Sequence, residues 1–337
     1  MDINEEPNNL ENEAPLQPNT ESIDQDNINF ENRIDLSKLT EGINQVKQEI
    51  SKVIVGQSAM IDMLVASILA NGHSLIEGVP GVAKTISAKL LARSLDIGFS
   101  RIQFTPDLMP SDILGTSVFD MKSSEFEFRK GPIFSNMILI DEINRAPAKT
   151  QAALFEVMEE RQITMDGQKY HMELPFIVLA TQNPVEQEGT YRLPEAQLDR
   201  FLFKIDIDYP NLDEEIEIIN REQALKNDNK TDLVKAHLTA KQIAEFQDLV
   251  SQIRIESHLV KYIADIIVNT RSNPFLYLGA SPRASIAILK ASKAFAAMSG
   301  RDFVTPEDIK KAAIPVLQHR VIVTPEREME GLSLIHI

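Results

Sequence analysis

The sequence predicts an α/β fold in which a five-stranded parallel sheet carries a phosphate-binding loop and is followed by a small all-helical domain. Three observations predict it. Residues 73–85 read as a short apolar strand (Ser74 to Glu77), a glycine-bearing loop (Gly78 to Ala83) and a helix opening at Lys84-Thr85. Met137-Ile138-Leu139-Ile140 and Phe176-Ile177-Val178-Leu179-Ala180 are continuous apolar runs, the pattern of strands buried on both faces of a parallel sheet. Beyond Tyr209-Pro210-Asn211 every segment has a helical period.

Composition narrows the function classes. A length of 337 residues suits about two domains plus a tail. Hydrophobic residues at 43% with 6% aromatics describe an ordinary soluble α/β protein, and no apolar run reaches the length of a membrane span. Met1 to Leu10 is acidic and polar, unlike a secretory signal, so a cytoplasmic protein is expected. The absence of cysteine excludes disulfides, thiolate zinc sites and cysteine nucleophiles. Six histidines are scattered without ligand spacing. The net charge is −16, of which residues 1–36 supply −9 (ten acids against Arg33), leaving −7 for the rest. So acidic a chain is a poor nucleic-acid binder, and its first 36 residues are expected to form a disordered acidic leader.

In chain order, Leu36, Leu39, Ile43, Val46, Ile50 and Val53 recur at a helical period and predict an amphipathic helix; a second follows over Met60 to Asn71. Between them Val55-Gly56-Gln57 reads either as a helix-to-helix turn or as a backbone wall against an adenine ring. The loop Gly78-Val79-Pro80-Gly81-Val82-Ala83 has the make-up of a phosphate cradle. Gly78 and Gly81 lack a Cβ, which frees consecutive N–H groups to turn toward one anion. Lys84 would reach the terminal phosphates and the Thr85 hydroxyl would hold Mg²⁺. The helix beginning there, with Ile86, Leu90 and Leu91 inward, adds the positive end of its dipole. Ala83 departs from the general pattern G-x-x-x-x-G-K-[ST], which has Gly in its place.

Phe99 to Phe104 alternates like a strand and stops at Thr105-Pro106. Residues 106–132 form a long irregular stretch in which Thr116 to Asp120 and Glu125 to Arg129 are spaced to pair as a hairpin, and insertions of this length tend to be functional. Asp141 and Glu142 stand at the carboxyl end of the Met137 run, the edge at which parallel sheets bind ligands. There Asp141 would hold Mg²⁺ through water, and Glu142 would orient or deprotonate an attacking water. A helix over Thr150 to Arg161 leads to a hairpin turning at Asp166-Gly167. The Phe176 run ends in Thr181-Gln182-Asn183-Pro184, where Asn183 either makes a turn or positions water beside a γ-phosphate. Pro194 to Phe201 precedes a fifth strand, Leu202 to Ile207, and carries Arg200, which charge alone reads as a surface ion pair. Helices follow over Asp213 to Lys226, Thr239 to Arg254, Ser257 to Arg271, Pro282 to Met298 and Thr305 to Leu317. Arg283 lies in the first turn of the fourth, against its dipole. It therefore either invites an external anion or is simply solvated.

Five ordered blocks resemble the AAA+ ATPases and, within them, the MoxR family: Gly78 to Thr85, Ile140-Asp141-Glu142-Ile143-Asn144-Arg145-Ala146, Ala180-Thr181-Gln182-Asn183-Pro184, Leu198-Asp199-Arg200-Phe201 and Ser281-Pro282-Arg283. The Ala83 oddity is itself similar to the MoxR loop. The resemblance runs from Leu36 to about Thr324 and implies a nucleotide-binding core over 37–209, a helical lid over 210–325 and an atypical or truncated tail over 326–337. It implies ATP and Mg²⁺ at Val55, Gly56, Gln57, the 78–85 loop and Asp141, with Glu142 activating water. By the same resemblance Asn183 is the first sensor, Arg200 a finger for the neighbouring subunit's nucleotide, and Arg283 a second sensor reporting the γ-phosphate to the lid. Residues 106–132 and 162–173 are similar to the family's two inserts. The implied assembly is a homo-oligomeric, hexameric ring that works with a von Willebrand A-domain protein to activate, or load metal into, a client enzyme. The rival readings are a nucleotide-gated scaffold with slow turnover and a magnesium-chelatase-like ATPase subunit. A DNA-remodelling motor lacks its basic stripe.

Overall fold

Apolar side chains on both faces of the central strands require cover on both sides, and two separate buried clusters provide it. In the computed structural model the described residues are 34–79, 81–122, 124–183, 190–224 and 230–330, and from Ile34 onward the chain forms one compact unit. The expected acidic leader lies outside the described residues as far as residue 33, as do Pro80, Pro184 and residues 331–337 of the expected tail.

Helix α1 (Ser37–Ser51) buries Leu39, Ile43, Val46 and Ile50, with buried Leu36 at its N-cap. Helix α2 (Ser58–Leu69) leads to β1 (Ser74–Gly78) and, across the glycine-bearing loop, to α3 (Lys84–Ser94) and β2 (Phe99–Gln103). The long stretch after β2 is not irregular throughout: it forms α4 (Pro110–Leu114) and a hairpin of β3 (Gly115–Asp120) with β4 (Glu125–Lys130). Next come β5 (Met137–Asp141), α5 (Ala148–Glu160), a second hairpin of β6 (Gln162–Met165) and β7 (Gln168–His171), then β8 (Ile177–Gln182), the short α6 (Glu195–Leu198) and β9 (Phe203–Ile207). Asp166 and Gly167 turn the second hairpin with φ of 52° and 78°, the left-handed pair that this dipeptide favours. The two hairpins lie side by side, with a Ser117–Asp166 hydrogen bond and the Phe128 and Tyr170 ring centroids 4.5 Å apart.

The five strands are all parallel in the order β2-β5-β8-β1-β9. Alternate residues go to opposite clusters: Met137, Leu139, Ile177 and Leu179 to one, Ile138, Ile140, Val178 and Ala180 to the other. The first cluster also takes in α1–α3 and runs without a break into the C-terminal region. That region comprises α7 (Leu212–Ala224), α8 (Ala240–Gln252), α9 (Ser257–Ser272), β10 (Leu276–Leu278), α10 (Pro282–Met298), α11 (Pro306–Leu317), β11 (Ile322–Val323) and α12 (Pro325–Met329). It is helical as expected, with one addition: β10 and β11 pair antiparallel and close the space beside α9. These strands are too short to leave a periodic trace in the sequence. No helix among the described residues is long and apolar enough to cross a membrane.

Candidate functional site

The residues singled out in the sequence fall at the two edges of the parallel sheet. At the carboxyl edge, β1 leaves the sheet at Gly78, where a side chain would strike the Ile207 carbonyl, and Gly81 turns with φ 90°. Ala83 takes the left-handed backbone (φ 60°, ψ 18°) directly before α3, which explains why glycine is usual there. Val79 packs on the core and Val82 is buried, anchoring the loop from below. Lys84 Nζ reaches back to donate to the Gly78 carbonyl at 2.6 Å and so spans the cradle. Partial burial lowers its pKa, while the charges of Asp141, Glu142 and Glu77 act the other way. Thr85, half-buried, follows it into α3.

Beside the cradle, β5 ends in buried Asp141 and then Glu142, whose backbone is also left-handed (φ 57°). A non-glycine residue held there stores on the order of 1–3 kcal/mol. The Thr181 hydroxyl fixes both acids: it accepts the Glu142 N–H at 3.0 Å and donates to Asp141 Oδ1 at 3.2 Å. Asp141 Oδ2 accepts from Arg101 Nε at 2.5 Å; Glu142 Oε2 accepts from Gln103 Nε2 at 2.7 Å and pairs with Arg145 Nε at 3.0 Å. Buried Asn183 follows β8, which lies between β5 and β1, so it stands between the acids and the cradle. Val55, Gly56 and Gln57 do form the turn between α1 and α2. Gly56 (φ 66°) is pressed against Glu214, and Gln57 Nε2 donates to the Asp208 carbonyl at 3.1 Å, so the turn flanks the end of β9. Among the described residues no three His, Asp or Glu side chains form a metal cage. A hydroxyl and one carboxylate on this edge suit Mg²⁺, which is usually shared with phosphates and water. Arg101, half-exposed, is the cation that balances the buried Asp141 carboxylate.

Arg200 and Arg283 lie elsewhere. Both bind one carboxylate, Glu159 at the end of α5: Arg200 Nε to Oε2 at 3.0 Å, Arg283 to Oε1 at 2.7 Å. They line a cavity of about 250 Å³ together with Arg161, Lys290, Arg320 and His73. His73 precedes β1 and Arg200 precedes β9, so this cluster is at the amino edge of the sheet, roughly 13 Å of strand away from the cradle. Asp199 welds the two arginine-bearing segments together: it accepts from Ser281 Oγ at 2.9 Å and from buried Arg320 Nε at 2.6 Å. Arg320 also donates to the carbonyls of Asp199, Phe201, Leu202 and Val316.

The sequence reading missed Arg101, Gln103, Glu159, Asp199 in this role, and Arg320. Only for the β2 pair was there a usable signal, because β2 was legible as a strand and Gln103 pairs in register with Asp141.

Known proteins resemble this chain over most of its length. Residues 73–203 match the ATPase family associated with various cellular activities (AAA), and residues 268–333 match the AAA lid domain. Chaperone MoxR1 of Mycobacterium tuberculosis is 42% identical over 85% of this chain and 77% of its own length. The uncharacterized protein YeaC of Bacillus subtilis is 43% identical over 86% of this chain and 90% of its own. A crystal structure from Cytophaga hutchinsonii, assigned as an ATPase, superposes with a TM-score of 0.81 at 44% identity over 88% of this chain and 92% of that one. With a phosphate cradle and paired acids on one sheet edge, a helical lid packed on the same core, and relatives this similar over most of their length, the chain belongs to the MoxR family of AAA+ ATPases.

Proposed function

We propose that the protein hydrolyses ATP in a ring of identical subunits and uses the cycle to remodel a client protein, as a chaperone does. One observation carries this reading. The groups suited to hold and attack a nucleotide lie at the carboxyl edge, whereas the two cations suited to stabilise a transferring phosphoryl group are gathered on Glu159 at the opposite edge. A protomer therefore cannot bring its own Arg200 to its own cradle, and a neighbour's Arg200 completes the site. Arg283 shares that carboxylate, so the same logic makes it serve the neighbour's nucleotide rather than its own. The lid and core around the arginines then move as one body.

In this scheme the 78–83 backbone and Lys84 bind the phosphates of ATP, and Val55-Gly56-Gln57 flank its base. Thr85 and Asp141 would hold Mg²⁺, which when bound neutralises phosphate charge. Glu142 orients and deprotonates the attacking water, with Asn183 beside it. Its present engagement with Gln103 and Arg145 favours slow turnover until a neighbour docks. A hexamer, a von Willebrand A-domain partner and a client that is activated or supplied with metal are the finer parts of the proposal, supported by the MoxR membership.

The test combines two variants. Glu142→Gln should bind ATP and assemble but lose turnover, and pull-down of the ATP-held form should retain the client. Arg200→Ala should keep nucleotide binding and lose about 10³–10⁵ in rate, as finger removal does in other phosphoryl-transfer enzymes. Wild-type turnover in either variant would remove that residue from the mechanism.

A further inference from the structure

Helix α7 is 13 residues long and buries none of them. Leu212, Ile216 and Ile219 line one face at helical spacing and are 76%, 48% and 60% exposed, with Ile218 beside them. A helix of this length is marginal on its own in water, and helices in folded proteins draw their stability from burying such a face. Polar tethers hold it: Arg221 donates to the Ser51 carbonyl at 2.6 Å, and Asn211 and Glu214 cap its start. An apolar stripe left in water on a tethered helix is the mark of a surface that is covered in an assembly.

The opposite edge of the molecule offers a matching surface. On α10, Arg283, Ile286 and Lys290 recur at helical spacing; Ile286 is 54% exposed, and all three line the cavity that holds Arg200. This stripe is cation, apolar, cation. The α7 stripe is apolar and flanked by Asp213, Glu214, Glu215, Glu217 and Glu222, against Arg221 on the helix and Lys230, which pairs with Glu222. The start of α7 abuts Gly56 at the carboxyl edge, while the α10 stripe stands with Arg200 at the amino edge. In a head-to-tail contact these two edges face each other across the boundary between copies.

We propose that the Leu212–Ile216–Ile219 face of α7 seats on the Arg283–Ile286–Lys290 stripe of α10 in a second copy of this chain. The proposal rests on the shared-site reading above and deepens it by naming the surface that holds the neighbour in place. The apolar residues supply the contact, and the acid-to-base pairing sets its direction, because α7 against α7 would oppose like charges. A neighbour docked this way brings Arg283 and Arg200 toward the cradle that α7 flanks.

The chain has no cysteine, so single-cysteine variants are unambiguous. Ile219→Cys and an affinity-tagged Ile286→Cys, mixed with Mg²⁺ and a non-hydrolysable ATP analogue and then oxidised, should give a mixed covalent dimer. Failure to form it while the wild-type chain sediments as an assembly overturns the proposal, as does a dimer of Ile219→Cys with itself alone. Ile216→Glu with Ile219→Glu, both on the surface of the monomer, should bind nucleotide normally, sediment as a monomer and lose at least ~100-fold in turnover. Unchanged assembly in that double variant would mean that another protein covers α7, and overturns the proposal too. Arg200→Ala should assemble and cross-link through the introduced pair while remaining inactive. Full turnover by the dispersed double variant would instead sink the shared-site reading itself.

Discussion

His73 shows how a single residue ties the sheet to its surroundings. Its ring is buried at the entrance to β1, where Nδ1 accepts the Val178 N–H at 3.0 Å and Nε2 donates to the Met158 carbonyl at 3.2 Å. Burial pushes its pKa down to about 4, because a charged ring there would lose water and face the Val178 donor. The folded value lies below the unfolded one, so the unfolded chain takes up the proton first as pH falls. The stabilisation is complete above about pH 6.5 and is lost by about pH 4, a change of roughly 3 kcal/mol. Urea midpoints measured from pH 7 to pH 4 should fall, and His73→Gln, which keeps a donor and an acceptor without titrating, should flatten the fall. Buried His319 adds to the slope in the same direction, so some of it remains. An identical slope in the variant would contradict the assignment. Local pattern exposed Lys84, Asp141 and Glu142, because each sits at a strand or helix end that periodicity marks. Glu159 and Arg320 were illegible for the opposite reason: Arg283 is 124 residues from Glu159 and Asp199 is 121 from Arg320, and nothing in the local sequence announces these pairs.

Among the elements, α10 and the segment before β9 act as a pair. Ser281 occupies the N-cap of α10, yet its hydroxyl turns to Asp199 instead of capping the helix, and Arg320 closes the arrangement from beyond α11. Arg320→Met would leave Asp199 without its cation and take the guanidinium from four carbonyls, of which that of Phe201 keeps the His319 ring nitrogen as a partner. Breaking a buried pair from one side costs about 3–5 kcal/mol, which should appear as a large drop in the urea midpoint. A shift under ~1 kcal/mol would show the network to be dispensable. The strands and long helices were readable from period alone, and so were the two hairpins, through Asp166-Gly167 in one case and the alternation around residues 121–124 in the other. What period could not reveal is α4, the β10–β11 pair and the placement of Arg283. Helix spacing puts Arg283 in a first turn but says nothing of which sheet edge that turn meets.

For the whole molecule, the sheet direction matters most. Five parallel strands separate a phosphate cradle from an arginine pair by the length of the sheet, and one buried cluster joins the lid, which carries Arg283, to the core, which carries Arg200. On the proposed reading such a protomer is half of two reaction centres, so specific activity should rise with protein concentration as copies associate. The most direct measurement is complementation. Glu142→Gln retains Arg200 but not the water-activating acid; Arg200→Ala retains the acid but not the finger. Each should be inactive alone at a concentration where it assembles. Mixed, they should regain a substantial fraction of wild-type ATP turnover, because an Arg200→Ala cradle then meets an intact Arg200 from its neighbour. No recovery in mixed assemblies, or full turnover by dispersed wild-type monomers, would contradict a site shared between subunits.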